Sequence, residues 1–481
     1  MKEKIVASDS KYKYLAKNTI LFSISSFGSK ILSFLFVSLY TSVLTKEEYG
    51  TADLVCTTAS LLIYVVTLNI SDAVVRFALE KTEKQEGIFS YGLRVIFKGQ
   101  LLFGMTLLIF CYYNPIHWEW YLYLFLYVTV FVNALYQITT YYLRTFDEVK
   151  SVAVAGVVNT ATIIISNVLL LLVFKTGMVG YLASTIVGCL VATVYAVMVI
   201  IRRGKFNWSQ ICDDETKHMM VNYSIPLIFN GISWWVNSSL DRYLVTFFCG
   251  LSVNGLYAVA SKIPTILTTV QSIFAEAWSI SVIKEYDKED TDDFFGNMYS
   301  LYNGFTVFGA SILVLFNVLL ARFLFSKDFF IAWEYSSVLV VSVVFSGLAG
   351  FAGGIFSVVR KTGYYALSTV IAAIVNTLLN LIFIPIWGAF GAAIATLISF
   401  IVVWMIRVIY AGKFIAWKIN FIRDLVAYCL LGVQLVFEHL EGHFYLGQAV
   451  IVFVIAVLYK DVLGKMIMFM INRVTKKKHR K

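Results

Sequence analysis

The chain reads as long apolar stretches broken by short polar ones. Stretches long enough to cross a bilayer as helices, about 20 residues each, fall at roughly 19–44, 50–78, 88–113, 118–143, 151–174, 177–201, 219–248, 253–283, 297–325, 329–358, 364–386, 388–411, 421–437 and 444–463. About fourteen spans are therefore predicted. Some connections shrink to a few residues, as at Thr176 and the corner Pro385–Gly388. Neighbours joined that tightly form antiparallel helical hairpins.

Composition agrees with the pattern. Of the 481 residues, 59% are hydrophobic and 14% charged, and the mean hydropathy is +0.78. Soluble domains are far more charged and less apolar, and a β-barrel, whose strands alternate, averages a lower hydropathy. A soluble enzyme, a disordered tail and a disulfide-stapled secreted domain are excluded. The predicted class is an all-α polytopic membrane protein. Cys56, Cys111, Cys189, Cys212, Cys249 and Cys429 are scattered without metal or redox spacing and read as packing residues. The basic stretch Met1–Lys17 leads into an apolar segment with no small-residue cleavage site, so no cleavable signal peptide is expected.

Charge supplies the orientation. With the N-terminus inside, Lys46, Lys175, Arg322 and Lys327 fall outside, and Lys30, Arg76, Arg242 and Lys262 fall within spans. The other basic residues of the 39, Arg407 among them, fall on the cytoplasmic side. That asymmetry places both termini in the cytoplasm. It also accounts for the net charge of +10 without nucleic acid.

A repeat organises the spans. The hairpin 177-GMVGYLAST-185 recurs as 388-GAFGAAIAT-396, and 46-KEEYG-50 and 251-LSVNG-255 hold matching places upstream. An even number of helices separates the copies, so both halves enter the membrane in the same direction. Two pseudo-symmetric six-helix lobes related by an axis along the membrane normal follow. The expected organisation is a basic cytoplasmic tail (1–18), an N-lobe (19–201), a cytoplasmic linker (202–218), a C-lobe (219–411), two additional helices (412–463) and a basic cytoplasmic tail (464–481). Two lobes facing a central space suit alternating access, so a transporter leads over a scaffold or receptor.

Lys30, Arg76, Arg242 and Lys262 are the candidate binding residues, because a cation at mid-bilayer costs at least about 2.5–3.5 kcal/mol unless it faces a cavity or a partner. All four lie on the first two helices of a lobe. Three have a plainer alternative: Arg76 pairing with Asp72 one turn away, Arg242 pairing with another helix, Lys262 snorkelling; Lys30 is too central in its span to snorkel easily. Together they suit an anion such as phosphate or pyrophosphate. Asp72, Asp241 and Glu276 are candidate charge partners or ion-coupling groups, and Asp53 opens the second helix. Pro226 and Pro264 fall within the helices that open the second lobe, where a kink serves gating or is merely static. His439 and His443 in 438-EHLEGH-443 read as a polar turn, so no metal is expected. No phosphate-binding GxxxxGK[ST] loop and no catalytic spacing occurs, so neither an enzyme nor a cofactor is expected.

The stretch 224-SIPLIFNGISWWVNSSLDRYLVTFFCGLSVNGLYAVASKI-263 resembles the polysaccharide transporter (Wzx-type oligosaccharide flippase) family. Pro226-Leu227, Trp234, Asp241-Arg242, Gly255, Tyr257 and Lys262 stand in that family's order. The run 376-NTLLNLIFIPIWGAFGAAIAT-396 and the opening from Asn18 through 48-EYG-50 to 76-RF-77 are similar too. The segment 69-NISDAVVR-76 departs from the family, which has a small residue before the arginine. The resemblance implies a MATE-like fold of the multidrug/oligosaccharidyl-lipid/polysaccharide superfamily. It implies a flippase carrying polyprenyl-pyrophosphate-linked oligosaccharide from the inner to the outer leaflet of the bacterial cytoplasmic membrane. Lys30, Arg76, Arg242 and Lys262 would then hold the pyrophosphate. A glycan polymerase and glycosyltransferases are the implied working partners, beside the phospholipid bilayer. A lipid II flippase and a multidrug cation exporter are the alternatives within the fold.

Overall fold

The structure is a computed structural model. It describes residues 34–464, leaving out 82–83, 116, 147, 285–293, 360, 416 and 463. Among the described residues every regular element is helical. Among the described residues, eight helices are long and apolar enough to cross a membrane. The chain divides into two compact units, Met1–Tyr243 and Leu244–Lys481.

The first unit opens with α1 (Val37–Val43) and α2 (Lys46–Val66). Thr45 and Glu48 start α2 as a reciprocal cap: Glu48 N donates to Thr45 Oγ1 at 3.2 Å, and Thr45 N donates to Glu48 Oε2 at 2.9 Å. The span predicted over 50–78 is broken. Leu68 and Asn69 take left-handed φ values of 52° and 50°, and the chain resumes as α3 (Ile70–Glu80). Asparagine tolerates that conformation, and a hydropathy profile cannot see it.

Next come α4 (Gln85–Tyr113), α5 (Trp120–Arg144), α6 (Val149–Asn167) and α7 (Gly177–Arg202). The predicted span over 151–174 ends as a π-helical turn, Val168–Val173. Then α8 (Asp214–Cys249) runs unbroken through Pro226, and its part up to Tyr243 counts with the first unit. Ile70, Val74, Phe77, Ile88, Phe89, Ile138 and Tyr142 form one apolar cluster. Phe89 stacks on Tyr142 with centroids 4.1 Å apart, a contact worth about 1 kcal/mol beyond its buried area.

The second unit carries α9 (Leu251–Ala260), α10 (Pro264–Lys284), α11 (Phe294–Leu324), α12 (Trp333–Val358) and α13 (Thr362–Ala411). The span predicted over 253–283 is also broken, at Ser261–Ile263. Pro264 is therefore the first residue of a helix, where its missing N–H costs nothing, and not an interior kink. Helix α13 bends at Gly388 (φ 58°, ψ −139°) into the two arms expected on either side of the Pro385–Gly388 corner.

Helices α14 (Phe421–His439) and α15 (Tyr445–Leu458) complete the unit. A polar ladder joins α14 to α11. Tyr428 OH donates to Asn303 Oδ1 at 3.0 Å, Ser311 Oγ to Gln434 Oε1 at 2.7 Å, and Asn317 Nδ2 to Glu438 Oε1 at 2.7 Å. At one end Tyr459 OH donates to Asp424 Oδ1 at 2.8 Å. The added helices are thus built into the unit.

Candidate functional site

Of the four predicted cations, Arg242 has the most developed surroundings. Three side chains of α8 fasten it to α2. Trp235 Nε1 donates to the Thr57 carbonyl at 3.0 Å, Tyr243 OH hydrogen-bonds Thr58 Oγ1, and Arg242 Nη1 pairs with Asp53 Oδ1. Asp53 and Thr57 lie one turn apart and Thr58 follows directly, so a short stretch of α2 receives all three. The ion pair is largely enclosed, with side-chain exposures of 21% for Arg242 and 11% for Asp53. Removing either member strands the other, at a cost of about 3 kcal/mol or more. Asp241, itself buried, accepts from Arg242 N at 2.9 Å.

Around the start of α2 the unit is unusually polar inside. Tyr40 OH accepts from Asn167 Nδ2 at 2.9 Å, and Asn167 Oδ1 accepts from Ser184 Oγ at 2.7 Å, which links α1, α6 and α7. Tyr181 lies edge-on to Tyr40 with centroids 4.9 Å apart, and Tyr49 is buried beside it. Polar groups of this kind inside an apolar unit each need a partner, so they fix the packing as well as stabilise it.

Arg76 stands elsewhere. Its Nε is 3.1 Å from Glu80 Oε1, and its guanidinium covers the Tyr223 ring at 4.6 Å. Asp72, the partner considered from sequence, instead accepts from Asn69 Nδ2 at 2.6 Å. The next turn supplies the carboxylate, and Asn69 claims Asp72 because the helix restarts there. Tyr223 and Arg242 both lie on α8, and their offset of nineteen positions corresponds to about 28 Å of helix. Arg76 and Arg242 thus occupy opposite ends of α8 and form no common cluster.

In the second unit Lys262 lies in the Ser261–Ile263 break, half-buried, with its N–H donating to Val259 O at 2.9 Å. Pro226 is exposed midway along the first half of α8, and Pro264 is buried. Lys30 and the side chain of Glu276 lie outside the described residues.

Two features escaped the sequence reading. Asp53 is the partner of Arg242, a pairing that no local spacing reveals. Arg407, counted with the cytoplasmic charges, is 2% exposed. Its Nε donates to Ser368 Oγ at 2.9 Å, Nη1 to Ala349 O at 2.9 Å and Nη2 to Thr369 Oγ1 at 2.8 Å, while its guanidinium covers Tyr365 at 4.0 Å. Its nearness to a predicted span end suggested exposure, and three neutral acceptors hold it inside instead.

Comparison with known proteins agrees with this architecture. Residues 15–283 match the model of a family described as polysaccharide biosynthesis protein. A probable low-salt glycan biosynthesis flippase, Agl15 of Haloferax volcanii, is 22% identical over 237 residues, 46% of this chain and 49% of that protein. The match thus spans about half the length of that curated relative. A structure of the lipid II flippase MurJ in an inward closed conformation aligns with a TM-score of 0.70 at 18% identity, covering 93% of this chain and 100% of that one. An inward-facing MATE family transporter aligns with a TM-score of 0.65 at 12% identity, covering 81% and 97%. The fold is the one these transporters share, and the chain belongs to the polysaccharide biosynthesis protein family as a multi-pass membrane protein.

Proposed function

We propose that the protein is a flippase that carries a polyprenyl-pyrophosphate-linked oligosaccharide from the inner to the outer leaflet of the cytoplasmic membrane for surface polysaccharide synthesis. In this reading some fourteen spans form two rocking six-helix lobes and two added helices, with both termini cytoplasmic. The observation that carries it is the enclosed Arg242–Asp53 pair in the interior of a polysaccharide-family transporter. A guanidinium presents parallel N–H donors that match phosphate oxygens as well as they match a carboxylate. Asp53 holds Arg242 in the empty carrier, and pyrophosphate displaces it on loading. Arg76 guides the headgroup at the other end of α8, and Lys30 and Lys262 complete the cationic path. Asp72, Asp241 and Glu276 balance charge or couple an ion. Pro226 and the break before Pro264 are the bending points. Glycosyltransferases supply the substrate and a polymerase consumes it.

Membrane lipids extracted from cells carrying Arg242→Gln or Asp53→Asn test this by mass spectrometry, with protein in the membrane held at the wild-type level. Both variants are expected to accumulate the lipid-linked oligosaccharide at least ten-fold. Wild-type export in both overturns the reading. Accumulated lipid II identifies a peptidoglycan precursor flippase instead. Unchanged glycan lipids with new sensitivity to cationic drugs identify an exporter.

A further inference from the structure

The first unit carries another cationic feature, on a helix face that the unit leaves bare. Arg94, Lys98, Leu101, Met105 and Leu108 recur every three or four residues along α4 and so share one face. Leu101, Met105 and Leu108 are 61%, 55% and 73% exposed. An apolar face this open on a spanning helix lies against acyl chains. Lys98, one turn from Arg94, is exposed and has no hydrogen-bond or ion-pair partner among the described residues.

Beside these cations the connection between α7 and α8 is pinned to the unit. Tyr142 OH donates to Lys205 O at 3.0 Å, Ser90 Oγ to Asn207 O at 2.8 Å, and Arg94 Nη2 to Trp208 O at 2.7 Å. Three fastened carbonyls in four residues fix where the connection places its side chains. It presents Trp208, which is 45% exposed, with the Arg94 guanidinium 5.4 Å above its ring and Phe97 edge-on at 6.3 Å. An indole at the end of a lipid-facing helix marks the level of the headgroups. Cations at that level followed by an apolar ridge reproduce, along one helix, the order of phosphate and tail in a membrane lipid.

We propose that Arg94, Lys98 and Trp208 form a headgroup site for an anionic phospholipid of the surrounding bilayer, whose acyl chains lie along Leu101, Met105 and Leu108. Lys98 supplies a free point charge, Arg94 its remaining N–H donors, and the Trp208 ring a flat wall at the boundary. The site is separate from Arg242 and takes a structural lipid, not the transported one.

Native mass spectrometry of the full-length protein in detergent, titrated with phosphatidylglycerol or phosphatidylcholine, tests it. The wild type is expected to prefer phosphatidylglycerol. Lys98→Gln weakens that binding about five-fold and leaves phosphatidylcholine unchanged. Lys98→Gln is the decisive variant, because it removes the charge and breaks no hydrogen bond or ion pair among the described residues. Lys175→Gln, which changes an exposed lysine at the α6–α7 turn, is expected to bind phosphatidylglycerol as the wild type does. Equal binding of the two lipids by the wild type, or unchanged phosphatidylglycerol binding by Lys98→Gln, overturns the site. An equal loss of phosphatidylglycerol in Lys175→Gln also overturns it, by showing that any exposed cation serves, whereas export measurements alone decide the flippase reading.

Discussion

The α6–α7 hairpin of the first unit and the bent helix α13 of the second use the same glycine spacing and turn by different means. Gly177 and Gly388, the first glycine of each copy, adopt φ 57° and 58°. The second glycines, Gly180 and Gly391, sit where a Cβ would meet an atom at 2.1 Å and 2.3 Å. At Gly180 that atom is the Thr176 hydroxyl, but at Gly391 it is the backbone carbonyl of Phe383. The first hairpin inserts a π-helical turn and the linker Phe174–Thr176, whose Thr176 Oγ1 donates to Leu170 O at 2.8 Å. The second folds back at Gly388 itself, after Pro385. Each arm pair also holds a buried asparagine next to hydroxyls: Asn167 with Ser184, and Asn376 with Thr396 and Ser399. The repeat conserves what the turn requires, a left-handed residue and a close approach, and leaves the rest to local solutions.

The largest expected effect breaks this likeness. Gly391→Ala pushes a methyl group into backbone, which cannot rotate away, and is expected to cost about 3 kcal/mol. Gly180→Ala meets a side chain that can turn aside, losing one hydrogen bond, and is expected to cost about 1 kcal/mol. Thermal unfolding of the purified protein in detergent should order the two; equal losses would mean that the Thr176 contact is as rigid as a carbonyl. Gly177→Ala and Gly388→Ala are expected to fall between, at about 2 kcal/mol each, because both stand at positive φ, where an alanine is strained. A two-fold difference between them in the same measurement would show that the surrounding turn, not φ, sets the price.

The smallest effect is at the far end of α7, where a carboxylate instead of a glycine holds the connection. Thr216 Oγ1 donates to Asp213, with Lys84 Nζ at 3.4 Å. The Thr216 hydrogen bond, foremost, lowers the Asp213 carboxyl to about 2. Because the folded value is depressed, its stabilisation is complete above the unfolded value of about 4 and fades as pH falls toward 2. Asp213→Asn should therefore narrow the gap in unfolding temperature between pH 5 and pH 2.5. An unchanged gap would remove Asp213 from the acid response.

Hydropathy made the apolar segments and the hairpin at Gly388 legible, because burial in lipid demands long uninterrupted apolar helices. It gave no warning at Leu68, an ordinary apolar side chain whose backbone alone breaks α2 from α3. Nor can it see the π-helical turn after Asn167, since side-chain polarity does not report hydrogen-bond register. Residue type singled out Arg242, while Asp53, its partner, lies far away in sequence and becomes visible only when α2 and α8 meet. Arg407 went astray for a related reason. Position within a span suggested a surface charge, and only the acceptors gathered from α12 and α13 make its burial affordable.

The polar ladder on α14 bears on how the chain is assembled. Asp424, Gln434 and Glu438 all face inward, and α14 is not among the helices apolar enough to cross a membrane by composition alone. A helix carrying two carboxyl groups and a carboxamide is poorly tolerated by lipid until its partners are present. Gln434 and Glu438 find theirs, Ser311 and Asn317, on α11, which leaves the ribosome well before α14, while Asp424 takes Tyr459 from beyond α15. The C-terminal hairpin therefore enters last, onto a prepared surface. Its docking satisfies the buried polar groups of the ladder, so α14 is held stably only once α11 is in place.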